Sequence, residues 1–86
     1  MSIRTHIAGV YQYTASLRVQ SWYIRKYGKR VARLKEKIHQ QHHPKRREKL
    51  EQRYKYQMEK LNEAIQQYQT YKRHAEHHLA SLKTEY

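Results

Sequence analysis

The side chains with the greatest chemical reach in this 86-residue chain are its seven histidines and its nineteen lysines and arginines. Two histidine clusters share one spacing, His39-x-x-His42-His43 and His74-x-x-His77-His78. On a helix, side chains three and four apart share a face, a geometry that can hold a metal ion. The surroundings argue against it. Glu76 is the one carboxylate beside the second cluster, and neither cluster has the H-E-x-x-H arrangement of metalloproteases. If the chain folds back on itself, the clusters lie at opposite ends of a rod, about 50 Å apart at helical rise, and His6 approaching His78 completes only part of a site. No metal and no cofactor is expected. The histidines instead add positive charge as pH falls through their intrinsic range, so binding of a polyanion is expected to tighten in mild acid.

Catalysis has no machinery here. Aspartate and cysteine are absent and the seven glutamates are scattered among cations. No Gly-rich phosphate loop or Ser-His-acid constellation can be assembled, so the chain is expected not to be an enzyme. Without cysteine there is no disulfide framework, consistent with an intracellular setting.

The cations are the stronger signal. The formal charge is +12, and residues 1–35 carry eight basic side chains and no carboxylate, which first appears at Glu36. Residues 36–60 carry eight basic and four acidic side chains, and residues 61–86 three of each. Such an imbalance favours an acidic partner, either nucleic acid or an acidic protein surface. Trp22 and Tyr23 stand one turn before Lys26, Lys29, Arg30 and Arg33, an interleaving that can stack a base while gripping phosphates. The candidate nucleic-acid-binding set is therefore Trp22, Tyr23, Arg25, Lys26, Lys29, Arg30, Arg33, Lys37, Lys45, Arg46, Arg47, Lys49 and Arg53.

What must position these residues is a pair of helices. Ile3, Val10, Leu17, Ile24, Val31 and Ile38 recur every seventh residue, the spacing that keeps one seam of a long helix against a partner. Thr14, Ser21 and Gly28 are read as the companion positions, small residues facing large ones across the interface. The pattern halts at His39-Gln40-Gln41-His42-His43 and Pro44 follows, a residue suited to the first turn of a new helix. From Met58 the steps of three and four resume through Leu61, Ile65, Tyr68, Lys72, Ala75, Leu79, Leu82 and Tyr86, with Leu50 and Tyr54 extending them backwards. Tyr27, Tyr54 and Tyr68 are expected to pack at these seams.

The fold class expected is all-α: one coiled-coil-like antiparallel helical hairpin, helix one over about 3–41, a turn at about 41–44 and helix two over about 44–84. Folding at that turn pairs residues whose numbers sum to about 85, setting Ile24 by Leu61, Leu17 by Tyr68, Val10 by Ala75 and Ile3 by Leu82, in a rod about 55 Å long. The competing arrangement has three helices, with Gly28 capping the first. Either way the bend collects thirteen cations between Arg25 and Lys55, opposed only by Glu36, Glu48 and Glu51.

A second apolar strip, Ala8, Ala15, Val19 and Trp22, lies off the main seam and is expected to meet a partner, since a chain this short buries little core by itself. That partner is a second copy, forming a homodimer of four-helix-bundle type, or a neighbour in a larger assembly. The expected function is nucleic-acid binding, RNA ahead of DNA, by the cationic bend. The alternatives are an accessory or scaffold subunit of a large complex and a phage- or plasmid-borne inhibitor of a host nucleic-acid machine. The mean hydropathy of -1.28 and the polar residues within Ile7 to Ile24 speak against a spanning helix. The acid-free, Arg- and Ser-containing N-terminal segment is compatible with mitochondrial as well as cytoplasmic location.

Overall fold

The computed structural model describes residues 3–85, with the side chain of Glu85 left aside. Two α-helices, α1 (Ile3–Gln40) and α2 (Pro44–Glu85), run antiparallel and pack along their length. The Cα trace measures 63 × 13 × 13 Å with a radius of gyration of 19.0 Å, against about 12 Å for a compact domain of this length. Helix α1 passes through Gly28 without a break, so the chain forms two helices rather than three; an interior glycine costs only about 1 kcal/mol, less than the packing on either side of it secures. No helix among the described residues is long and apolar enough to cross a membrane.

The bend is built without glycine. Among the described residues none has positive φ, and residues 41–43 reverse the chain through local hydrogen bonds. The Gln41 amide donates to the Lys37 carbonyl at 3.0 Å, the His43 amide to Gln41 Oε1 at 3.2 Å, and the Arg47 amide to the His43 carbonyl at 2.9 Å. His43 thus supplies the first carbonyl of α2, and Pro44 occupies the following position, where a missing N–H costs nothing.

Register follows from this turn. His6 lies against His78, and Tyr13 against Tyr71 and His74, within a helical turn of the expected pairing sum of about 85. The aliphatic heptad Val10, Leu17, Ile24, Val31 and Ile38 is half-buried throughout, as are Tyr54, Leu61, Tyr68 and Leu82. The companion seams differ from expectation. On α1 they include His6, Tyr13, Gln20, Tyr27 and Leu34, one residue before the expected set; of that set Thr14 is exposed, whereas Ser21 and Gly28 are half-buried. On α2 the expected Leu50, Met58, Ile65 and Ala75 are half-buried or buried and are joined by Gln57, Ala64, Tyr71 and His78, while Lys72 and Leu79 are exposed. Tyr86, placed at the end of that seam, lies outside the described residues.

The reason is volume. A heptad position can take its companion three or four residues on, and a two-helix seam built on Thr14, Ser21 and Gly28 would leave voids that Tyr13, Tyr27 and Leu34 fill. Large still meets small on both helices: Ala64 and Ala75 of α2 are 5% and 6% exposed, and Gly9 of α1 is buried beside His78. Among the described residues no large side chain is fully buried, so the hairpin is held by one half-covered seam.

The two glycines have opposite settings. A Cβ at Gly28 would meet nothing within 4 Å, whereas one at Gly9 would come within 2.6 Å of the His78 ring. Gly9 is the place where α2 needs room. Gly28→Ala is expected to stabilise the hairpin by about 0.5–1 kcal/mol in chemical denaturation. Gly9→Ala gives no such gain, because the His78 ring must swing off His6; equal gains at both positions would remove the close approach from the account.

Candidate nucleic-acid interface

The basic residues of the bend fall on two connected surfaces. The first is an open groove of about 510 Å³ between the helices, where Arg30, Arg33 and Lys37 of α1 face Lys49 and Arg53 of α2. Its floor is Leu34, Gln57 and the ring of Tyr56, which remains 55% exposed. The second is a shallow concavity along α1 lined by Trp22, Arg25, Lys26, Lys29, Arg30 and Arg33. Arg30 and Arg33 belong to both, so the two form one cationic track around α1. No carboxylate lines either surface.

Internal neutralisation is sparse. Among the described residues the ion pairs are Arg47–Glu51 at 3.2 Å and Lys60–Glu63 at 3.6 Å, both exposed and one turn apart on α2. Of the cations collected at the bend, only Arg47 meets a carboxylate. Aromatic faces take part of the remainder: Lys26 Nζ lies 4.9 Å from the Trp22 ring centroid and Arg30 Cζ 5.8 Å from that of Tyr27. Such contacts are weak enough at an exposed site to be exchanged for a phosphate.

Helix α2 adds a constraint that the sequence pattern did not disclose. Its first turn holds Lys45, Arg46 and Arg47 and no acidic residue, yet a helix N-terminus carries partial positive charge and prefers anions. These cations stand where they lower stability. At the adjacent end of α1 the last turn carries Lys37 and His39, where positive charge is favourable. The two helix termini that meet here are of opposite sign and largely offset each other, so the positive potential of the bend comes from its lysine and arginine side chains.

The remaining candidates are distributed as follows. Trp22 is 52% exposed. Tyr23 does not stand outward as expected: it is half-buried, its ring stacked on Tyr27 at 6.0 Å and edge-on to Trp22 at 5.1 Å, because it flanks the companion seam that Tyr27 occupies. Tyr56, Gln57, Gln52 and Leu34 were missed as lining residues. The pairing sum of about 85 would have set Tyr56 beside Arg30, had the groove flank been traced. The strip Ala8, Ala15 and Val19 is exposed on α1, and Tyr11, 75% exposed, extends it.

At the open end of the rod histidines of the two helices meet in a clasp. His6 Nδ1 and His78 Nδ1 are 2.9 Å apart, and the Tyr13 ring stacks on His74 at 5.0 Å and on His78 at 5.8 Å. No group of three or more potential ligands among the described residues is placed to hold a metal ion. One imidazole must be neutral to accept the Nδ1 hydrogen bond. No protein-family model, curated protein or solved structure matches the chain.

Burial, then the neighbouring His6, His77 and His74, push the His78 imidazole below its ordinary 6.5. A histidine whose pKa is lowered in the fold takes up its proton in the unfolded chain first, so stability is full above 6.5 and is lost as pH falls from there through the lowered value. The melting temperature is expected to drop as pH falls below 6.5, and His78→Asn to remove much of that slope. A slope unchanged by the substitution would place the titration elsewhere.

Proposed function

We propose that this chain is a non-catalytic, basic helical hairpin that binds nucleic acid through its bend, with little sequence preference. The observation that carries the reading is the first turn of α2, where Lys45, Arg46 and Arg47 stand against the helix dipole with Glu51 as the only paired carboxylate. Polypeptides do not gain stability from that arrangement. A phosphate backbone compensates it, and the release of condensed counterions drives such binding without reading bases. Arg30, Arg33, Lys37, Lys49 and Arg53 extend the same field into the groove. RNA is favoured over DNA because exposed aromatic rings suit unpaired bases, whereas duplex readers insert a short recognition helix into the major groove.

A second reading rests on a separate observation. Tyr11, Val19 and Trp22 are left 75%, 51% and 52% exposed on α1, and the hairpin seam buries little else. A partner covering this strip, whether a second copy completing a four-helix bundle or a subunit of a larger assembly, would bury the apolar area the hairpin lacks. The two readings concern different faces and meet at Trp22.

Binding of a random-sequence oligonucleotide is expected at micromolar concentration and to weaken steeply with salt, the logarithmic slope counting the phosphates contacted. A flat salt response contradicts the reading. Replacing Lys26, Lys29, Arg30 and Arg33 together by glutamine should abolish binding with helicity retained. Arg46→Glu separates function from stability: it should raise the melting temperature by relieving the dipole and lower affinity at the same time. If both fell together, the residue would be structural.

A further inference from the structure

The groove holds a polar atom without a partner. Gln57 Oε1 is buried and accepts no hydrogen bond, although Gln57 lines the open groove beneath the cations. A leucine at this seam position would pack as well and leave nothing unsatisfied, since a buried acceptor without a donor is a net cost to the free chain. The orphan lies beside Tyr56, an aromatic ring that α2 leaves 55% exposed and that Lys60 Nζ approaches to 5.6 Å of its centroid. A ring and five surrounding cations are thus gathered in one open cleft, with the unmet acceptor buried under its lining, where a turn of the Gln57 amide brings it to a ligand.

We infer that this cleft seats an unpaired base of a single-stranded nucleic acid, stacked on Tyr56 with its amino or imino N–H donated to Gln57 Oε1. The proposal rests on the reading of the bend as a nucleic-acid interface and names the form of nucleic acid that interface takes. Arg30, Arg33 and Lys37 lie on one wall and Lys49 and Arg53 on the other, positioned for the phosphates on either side of the seated base. Charge selects a polyanion, and the acceptor selects one that carries N–H donors on a planar ring.

Shape excludes the duplex. The Cα trace of the rod is 13 Å across, and a cleft between two packed helices cannot admit paired, stacked bases whose edges are already engaged. A duplex meets only the outer cations. A single strand can enter, because base stacking on an aromatic ring tolerates any sequence and needs only that the base be free. Trp22 lies further along the same cationic track. Its level on the rod is about 10 Å from that of Tyr56 at helical rise.

The test uses the full chain and three end-labelled probes of equal length at one salt concentration, read by fluorescence anisotropy: a single-stranded oligoadenylate, an abasic phosphodiester and a duplex. The oligoadenylate should bind at least about tenfold more tightly than either of the others, the range expected of base–aromatic stacking. Tyr56→Leu and Gln57→Leu should each bring the oligoadenylate down towards the abasic probe. Gln57→Leu should also raise the melting temperature, a change that shows the variant folded and the acceptor unmet in the free chain. Equal binding of all three probes overturns the base seat while leaving the cationic interface standing. If no probe binds, both fall.

Discussion

Everything in this molecule follows from a single seam between two helices. A heptad of aliphatics on α1, with tyrosines, glutamines and histidines between them, meets Leu50, Tyr54, Leu61, Tyr68 and two alanines on α2. With only one partner helix, each helix covers a narrow stripe and leaves the rest of its circumference to water. The charged residues therefore have nowhere to go but outward from the seam. Because the basic residues are concentrated in the middle of the sequence, the fold brings them to one tip, where α1 ends and α2 begins.

That tip is where stability and charge disagree. Cations at the end of α1 are favoured by its dipole, whereas those at the start of α2 are opposed by theirs. Among the described residues, only Arg47 of the bend cations finds a carboxylate. The open end shows the contrary economy: histidines engage one another and Tyr13 there, and Gly9 makes room for His78. One end of the rod is thus closed on itself, and the other presents unmet charge. Trp22, at the border of the cationic track and the exposed apolar strip, can serve a base or a protein partner but not both at once.

Much of this was legible in the sequence, for physical reasons. The sevenfold spacing from Ile3 to Ile38, the single proline at 44 and the charge gradient are each local signals that tertiary packing had no means to override. The turn position then set the register. What could not be read was which neighbour of each heptad residue shares the seam, since three and four residues on are both admissible on a helix. Thr14, Ser21 and Gly28 looked small enough to be covered, and Tyr13 and Gln20 polar enough to be left out. The inter-helix volume chose the larger set. The groove was hidden for the same reason: Tyr56 and Gln57 acquire meaning only once the flank facing Arg30 and Arg33 is known.

The claim that the unneutralised bend is the binding end is tested most directly by amide NMR of the labelled chain titrated with a short oligonucleotide at low salt. Shift changes should concentrate in residues 25–37 and 45–57 and fade towards Gly9 and His78, with saturation at a defined ratio. Changes spread evenly along both helices, or centred on the histidine end, would contradict it.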